Sequence, residues 1–206
     1  MLRPEIVESV LKKSILVPED QATLFELFVG FEILDALETE GFKIQILRLL
    51  GKSTVKPLPF ASLRRGQEEI DLYWQRSLWV VNRPERSGFL ARVQSDNQVQ
   101  NPRPFRPDFL LVGQNPPRLT LVEAKLTEKE KTRETVGIAN ALAYLQDAAE
   151  VLARYPKPHA LVVAWGATGT PAMSEVVVSD QHSLAAATQS LLGPKVKEVS
   201  ARRSAS

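Results

Sequence analysis

Three residues near the middle of the chain could do chemistry together. They are Asp108, in Arg106-Pro107-Asp108-Phe109, and Glu123 and Lys125, in Leu121-Val122-Glu123-Ala124-Lys125. Asp108 opens one apolar run and the Glu-x-Lys pair closes the next, with Asn115-Pro116-Pro117 between them. Each run has the composition of a short β-strand, and the break reads as a turn. Alternate side chains of a strand share a face, so Glu123 and Lys125 point one way and Val122 and Ala124 the other. An antiparallel return through residues 113–118 brings the pair alongside Asp108. Two carboxylates suit a hard divalent cation that keeps several of its waters. Such an ion polarises a phosphoryl oxygen and lowers the pKa of a bound water. An ammonium can orient that water or stabilise charge developing on the phosphate. The trio therefore suits phosphodiester hydrolysis. Taken as an exposed strand position, Lys125 is expected to be replaceable with little loss of stability.

The composition narrows the alternatives. The 206 residues include no cysteine and two histidines, His159 and His182, which excludes disulfides, thiolate metal sites and a histidine-rich zinc site. Any metal must be held by oxygen, which favours magnesium, manganese or calcium. Hydrophobic residues at 44% are enough for an ordinary core. Arg3, Glu5 and Glu8 interrupt the N-terminal stretch where a secretory signal would be apolar, and no run of about 18 apolar residues occurs. A cytoplasmic protein with no membrane partner is expected. A net charge of +2 does not by itself mark a nucleic-acid binder. Lys129, Lys131 and Arg133 could form a phosphate-contacting patch, or equally a solvated charged loop, since Glu128, Glu130 and Glu134 alternate with them. Asp71 is a rival acidic strand position, but no Glu-x-Lys pair follows it at suitable range. His159 reads as structural.

The elements that must position the trio can be read around it. A short helix is expected over residues 4–14. A long apolar helix follows over 21–40, with Leu24, Phe28, Phe31, Leu34 and Leu37 as its core face and Gly41 as its C-cap. Strands are expected at 42–49 and 70–74. The stretch between them reads as loops with room for an edge strand. A further strand is expected at 79–81 and a polar surface segment at 83–106. After the trio come a helix at 134–154, with Ile138, Leu142, Leu145 and Leu152 on its apolar side, strands at 160–165 and 175–178, and a helix at 183–192. The order predicts one α/β domain over residues 1–194 with a mixed central sheet flanked by helices, then a basic, disordered tail at 195–206.

Pro107-Asp108 followed by Glu123-Ala124-Lys125, on two adjacent strands after a long helix, resembles the PD-(D/E)XK signature of the restriction-endonuclease-like superfamily. The resemblance implies that core fold and a magnesium- or manganese-dependent nuclease with Asp108, Glu123 and Lys125 as catalytic residues. It also implies a further glutamate from the preceding helix, so that Glu26, Asp108 and Glu123 hold the metal, with Glu32 as second choice. Leu24-Phe25-Glu26-Leu27-Phe28-Val29, together with the two strands, is closest in pattern to McrC-type nuclease subunits of restriction systems. Those often carry a glutamine and a tyrosine on the helix after the lysine. Asn140 and Tyr144 stand at that spacing here, as supporting residues, with asparagine a departure whose amide can still hydrogen-bond. The chain is expected to lack the additional N-terminal domain of such subunits. The implied partners are DNA and a regulatory or motor subunit of a defence complex. A non-catalytic subunit that keeps the fold for DNA binding or assembly is the alternative.

Overall fold

The computed structural model describes residues 21–48, 58–78, 106–126, 130–166 and 175–192. The expected helix at 4–14, the strand at 79–81, most of the polar segment at 83–106 and the tail at 195–206 lie outside the described residues.

Helix α1 (Gln21–Thr39) buries Phe25, Leu27, Val29, Ile33, Leu34, Ala36 and Leu37. Its inward face is rotated from the expected one. Leu34 and Leu37 are buried, but Leu24 is 47% exposed and Phe28 36%. Apolar residues surround this helix on most sides, so their spacing leaves its rotation open and packing decides it. One packing constraint is Gly30, where a Cβ would stand 2.5 Å from Cζ of Phe109. At the other end Gly41 takes φ of 91°. Its N–H donates to the Glu38 carbonyl and that of Phe42 to the Leu37 carbonyl, the paired bonds of a Schellman cap.

Seven strands follow in chain order across one mixed sheet: β1 (Lys43–Leu47), β2 (Ala61–Arg65), β3 (Glu68–Trp74), β4 (Phe109–Gln114), β5 (Arg118–Lys125), β6 (Ala160–Ala164) and β7 (Val176–Ser179). Strands β1 to β5 form an antiparallel meander, while β5, β6 and β7 are parallel. Strand β2 is not at an edge: it lies between β1 and β3. Its inward residues are only Ala61 and Leu63, too brief an alternation to announce an interior strand.

Parallel neighbours need a crossover. Helices α2 (Glu130–Asp147) and α3 (Ala149–Leu152) supply it between β5 and β6, in place of one helix over 134–154. The central strands β4 to β6 are buried on both faces. Phe109, Leu111, Val122, Ala124, Leu161 and Val163 belong to the core shared with α1 and with α4 (Leu184–Leu192). Leu110, Leu119, Leu121, Ala160 and Val162 belong to the core shared with α2 and α3. Ala141 and Leu145 are the inward residues of α2, whereas Leu142, expected on its apolar side, is 46% exposed. Among the described residues no helix is long and apolar enough to cross a membrane.

Candidate functional site

The trio sits where β4 begins and β5 ends. The two strands pair antiparallel with Phe109 opposite Val122, so one step further brings Asp108 level with Glu123. Asp108 Oδ2 accepts the backbone N–H of Ala124 at 2.7 Å, which fastens the carboxylate to β5. Glu123 and Lys125 face the α2 side, as the alternation requires.

Glu123 is only 3% exposed. Its Oε1 accepts Nζ of Lys125 at 2.6 Å and Nδ2 of Asn140 at 2.8 Å. Its Oε2 is buried and has no hydrogen-bond partner among the described residues. Asn140 therefore does make a carboxylate contact, from α2 into the site. Tyr144 lies one turn further along that helix and is half-buried. Gly137 lets α2 come this close, because a Cβ there would lie 2.6 Å from Cγ1 of Val162 and 3.3 Å from Cγ of Lys125.

The electrostatics follow from this crowding. Burial, then the charge of Glu123 and more weakly that of Glu26, push Asp108 up to about 7, against the Ala124 N–H and Lys125. For Lys125, burial opposes the charged form. The hydrogen bond and charge of Glu123, with Asp108 and Glu26, outweigh it and hold the ammonium above its ordinary range. Burial, then the charges of Glu123 and Asp108 and a side-chain hydrogen bond to Glu123, also raise Tyr144, which stays a neutral hydroxyl. Lys125 is not the exposed strand residue that its place at a strand end suggested. Its side chain is 25% exposed and paired with a buried carboxylate, so removing it leaves that charge poorly compensated.

Glu26 stands at the border of the cluster. Its Oε2 accepts Nε1 of Trp74 at 3.1 Å and Nε2 of Gln75 at 2.8 Å. Its charge is felt at both Asp108 and Lys125. Among the described residues, however, no three His, Cys, Asp or Glu side chains are close enough to hold one ion between them. Glu32 has Asp35 as its charged neighbour. Asp71 lies further along the sheet, opposite Val112, hydrogen-bonded to Ser62 and Tyr73. His159 is buried against the Tyr155 carbonyl, as expected of a structural histidine. Lys129 lies outside the described residues. Lys131 and Arg133 fall on α2, with their side chains outside the description.

Two residues that the sequence did not single out belong here: Trp74 and Gln75, which grip Glu26. No local pattern marks them, because their role depends on the pairing of β3 with β4. Gly137 had a signal, a glycine inside a helix where alanine is the better helix former. No family model matches the chain, and no curated protein or solved structure matches it.

Proposed function

We propose that the chain is a divalent-metal-dependent nuclease built on a restriction-endonuclease-like core, most simply a cytoplasmic DNA endonuclease of a restriction or phage-defence system. The observation that carries this reading is the convergence of Asp108, Glu123 and Lys125 at one end of adjacent strands, with a buried Glu123 oxygen, Oε2, that has no hydrogen-bond partner among the described residues. A buried carboxylate oxygen without a partner is costly. Magnesium or manganese, which favour one or two carboxylates with several waters, fit the pair Asp108 and Glu123. When bound there, such an ion would polarise a phosphoryl oxygen and activate water.

The remaining steps fall to the chain. Lys125 stays protonated, so it serves as a fixed positive donor for the charge developing on the phosphate rather than as a base. Asn140 holds the Glu123 oxygen that Lys125 shares, which fixes both side chains. The N–H of Ala124 holds Asp108. DNA as substrate and a gating or motor subunit as partner are carried by the sequence resemblance and belong to this proposal.

The test is cleavage of plasmid, linear and single-stranded DNA and of RNA with magnesium or manganese, beside Lys125→Met. Wild-type cleavage that falls at least about a hundredfold in the variant supports the reading, by analogy with loss of one preorganised donor. Equal rates overturn it. The second reading, a non-catalytic subunit for DNA holding or assembly, draws on the Lys125–Glu123 ion pair, which partly satisfies both charges without a cation. It predicts DNA binding with no metal-dependent cutting.

A further inference from the structure

Gln75 is the residue that ties three parts of the molecule to the site. It follows the last residue of β3 and takes φ of 47°, the left-handed region that residues other than glycine, asparagine and aspartate rarely enter. Its backbone N–H donates to the Asp108 carbonyl at 2.7 Å. Its side chain turns to α1 and donates to Glu26 Oε2 at 2.8 Å. Trp74, the residue before it, donates its indole N–H to the same oxygen at 3.1 Å. One dipeptide thus fastens the start of β4 and the acidic residue of α1 to each other. A strained conformation kept at such a junction points to a role beyond closing a turn.

We propose that Trp74 and Gln75 are positioning residues that hold Glu26 as an outer carboxylate of the cation site, acting on the water around the ion rather than on the ion itself. Three observations lead there. Both donors converge on one Glu26 oxygen, leaving that oxygen little capacity to ligate. Gln75 bonds the Asp108 carbonyl and Glu26 at once, so Glu26 is held beside the start of β4. No third acidic or histidine side chain among the described residues completes a cluster with Asp108 and Glu123. An outer carboxylate orients water bound to the cation, and such supporting contacts are worth about 10–100-fold in metal affinity.

The inference rests on the proposed metal site, and calorimetric titration of the full chain with manganese tests the two separately. Gln75→Asn keeps the amide and the tolerance for positive φ but shortens the reach by one methylene. Trp74→Phe keeps the ring and removes the donor. Both should melt near the wild-type temperature yet bind manganese about 10–100-fold more weakly. Glu26→Gln should fall in the same range, and Glu26→Gln with Gln75→Asn should be no weaker than Glu26→Gln alone, because the two act as one unit. Asp108→Asn should abolish binding. Wild-type affinity in both Gln75→Asn and Trp74→Phe, or additive losses in the double variant, overturns the positioning role. Loss of all binding in Glu26→Gln makes Glu26 a ligand and overturns it too. A wild-type protein that binds no manganese overturns the metal reading and this inference together.

Discussion

Replacing Asp108 by asparagine should make the metal-free protein more stable at alkaline pH and unable to respond to a cation. The substitution is close to isosteric, and an amide oxygen can still accept the Ala124 N–H that Asp108 Oδ2 takes at 2.7 Å. What it removes is a charge that the folded site disfavours. The Asp108 carboxyl titrates at about 7 in the folded chain, because of burial first and Glu123 next, against about 4 in an unfolded one. Between these values the folded state binds the extra proton. Stability is therefore highest below about pH 4, as far as this group is concerned, and declines as pH rises through about 7. A gap of about 3 pKa units corresponds to about 4 kcal/mol at full effect. Solvent relaxation and the remaining charges of Glu123 and Glu26 reduce what one substitution recovers to about 2 kcal/mol. For a chain of this size that is a rise of about 4–8 °C in Tm. The assay is thermal unfolding of both proteins at pH 5 and pH 8, with and without manganese. At pH 5 the gap should be less than half of that at pH 8, since the folded Asp108 is still mostly protonated there and only ionisation of the unfolded chain opposes folding. At pH 8 the variant should melt higher. Manganese should raise the wild type at pH 8 and leave the variant unmoved. The same pH dependence in both proteins would refute the reasoning, and so would equal stabilisation of both by manganese.

Lys125→Met should lower the stability of the metal-free protein by about 1–3 kcal/mol, since it strips the buried Glu123 of its cationic partner, and a denaturant titration reads this directly. Gly137→Ala should destabilise by about 1–3 kcal/mol through overpacking, despite the better helix propensity of alanine, and should slow any cleavage by displacing Lys125; a Tm at or above wild type would contradict the close approach of α2. Gly30→Ala should cost a similar amount through Phe109, read by the same denaturant titration; stability equal to wild type would contradict the tight packing of α1 on β4.

Much of the site was legible before any fold was known, because strand alternation and one short turn suffice to bring Asp108, Glu123 and Lys125 together. Asn140 was singled out through the family resemblance rather than by any local pattern, and its amide does donate to Glu123. The rotation of α1 was not legible, since Leu24 and Phe28 are as apolar as the residues that are buried. Phe28 instead stacks with Phe25 and meets the ring of Trp165 edge-on near the surface. Strand β2 was hidden because only two of its five residues point inward. The burial of Lys125 was hidden for a different reason: it depends on how closely α2 approaches β5, and that distance is set by a glycine twelve residues away. Trp74 and Gln75 were invisible because no periodicity describes a hydrogen bond between a strand end and a helix that precedes it by some fifty residues.

A single orphaned polar atom would not argue for a site, since Arg118 and Thr188 also bury one without a hydrogen-bond partner. What distinguishes the end of β5 is that several departures from an economical fold meet there. Glu123 buries a carboxylate with one oxygen that has no hydrogen-bond partner among the described residues. Burial, and then the nearby charge of Glu123, make Asp108 resist ionisation. Gln75 adopts a disfavoured backbone angle to bind both Asp108 and Glu26. Each departure alone destabilises the chain, and a buried salt bridge does not compensate for them by stabilising it. The proposed cation between Asp108 and Glu123 would satisfy the free oxygen, favour the ionised Asp108 and give Glu26 a charge to face. That three such departures meet at one sheet end is the physical ground for the proposal that this corner of the fold acts rather than only supports.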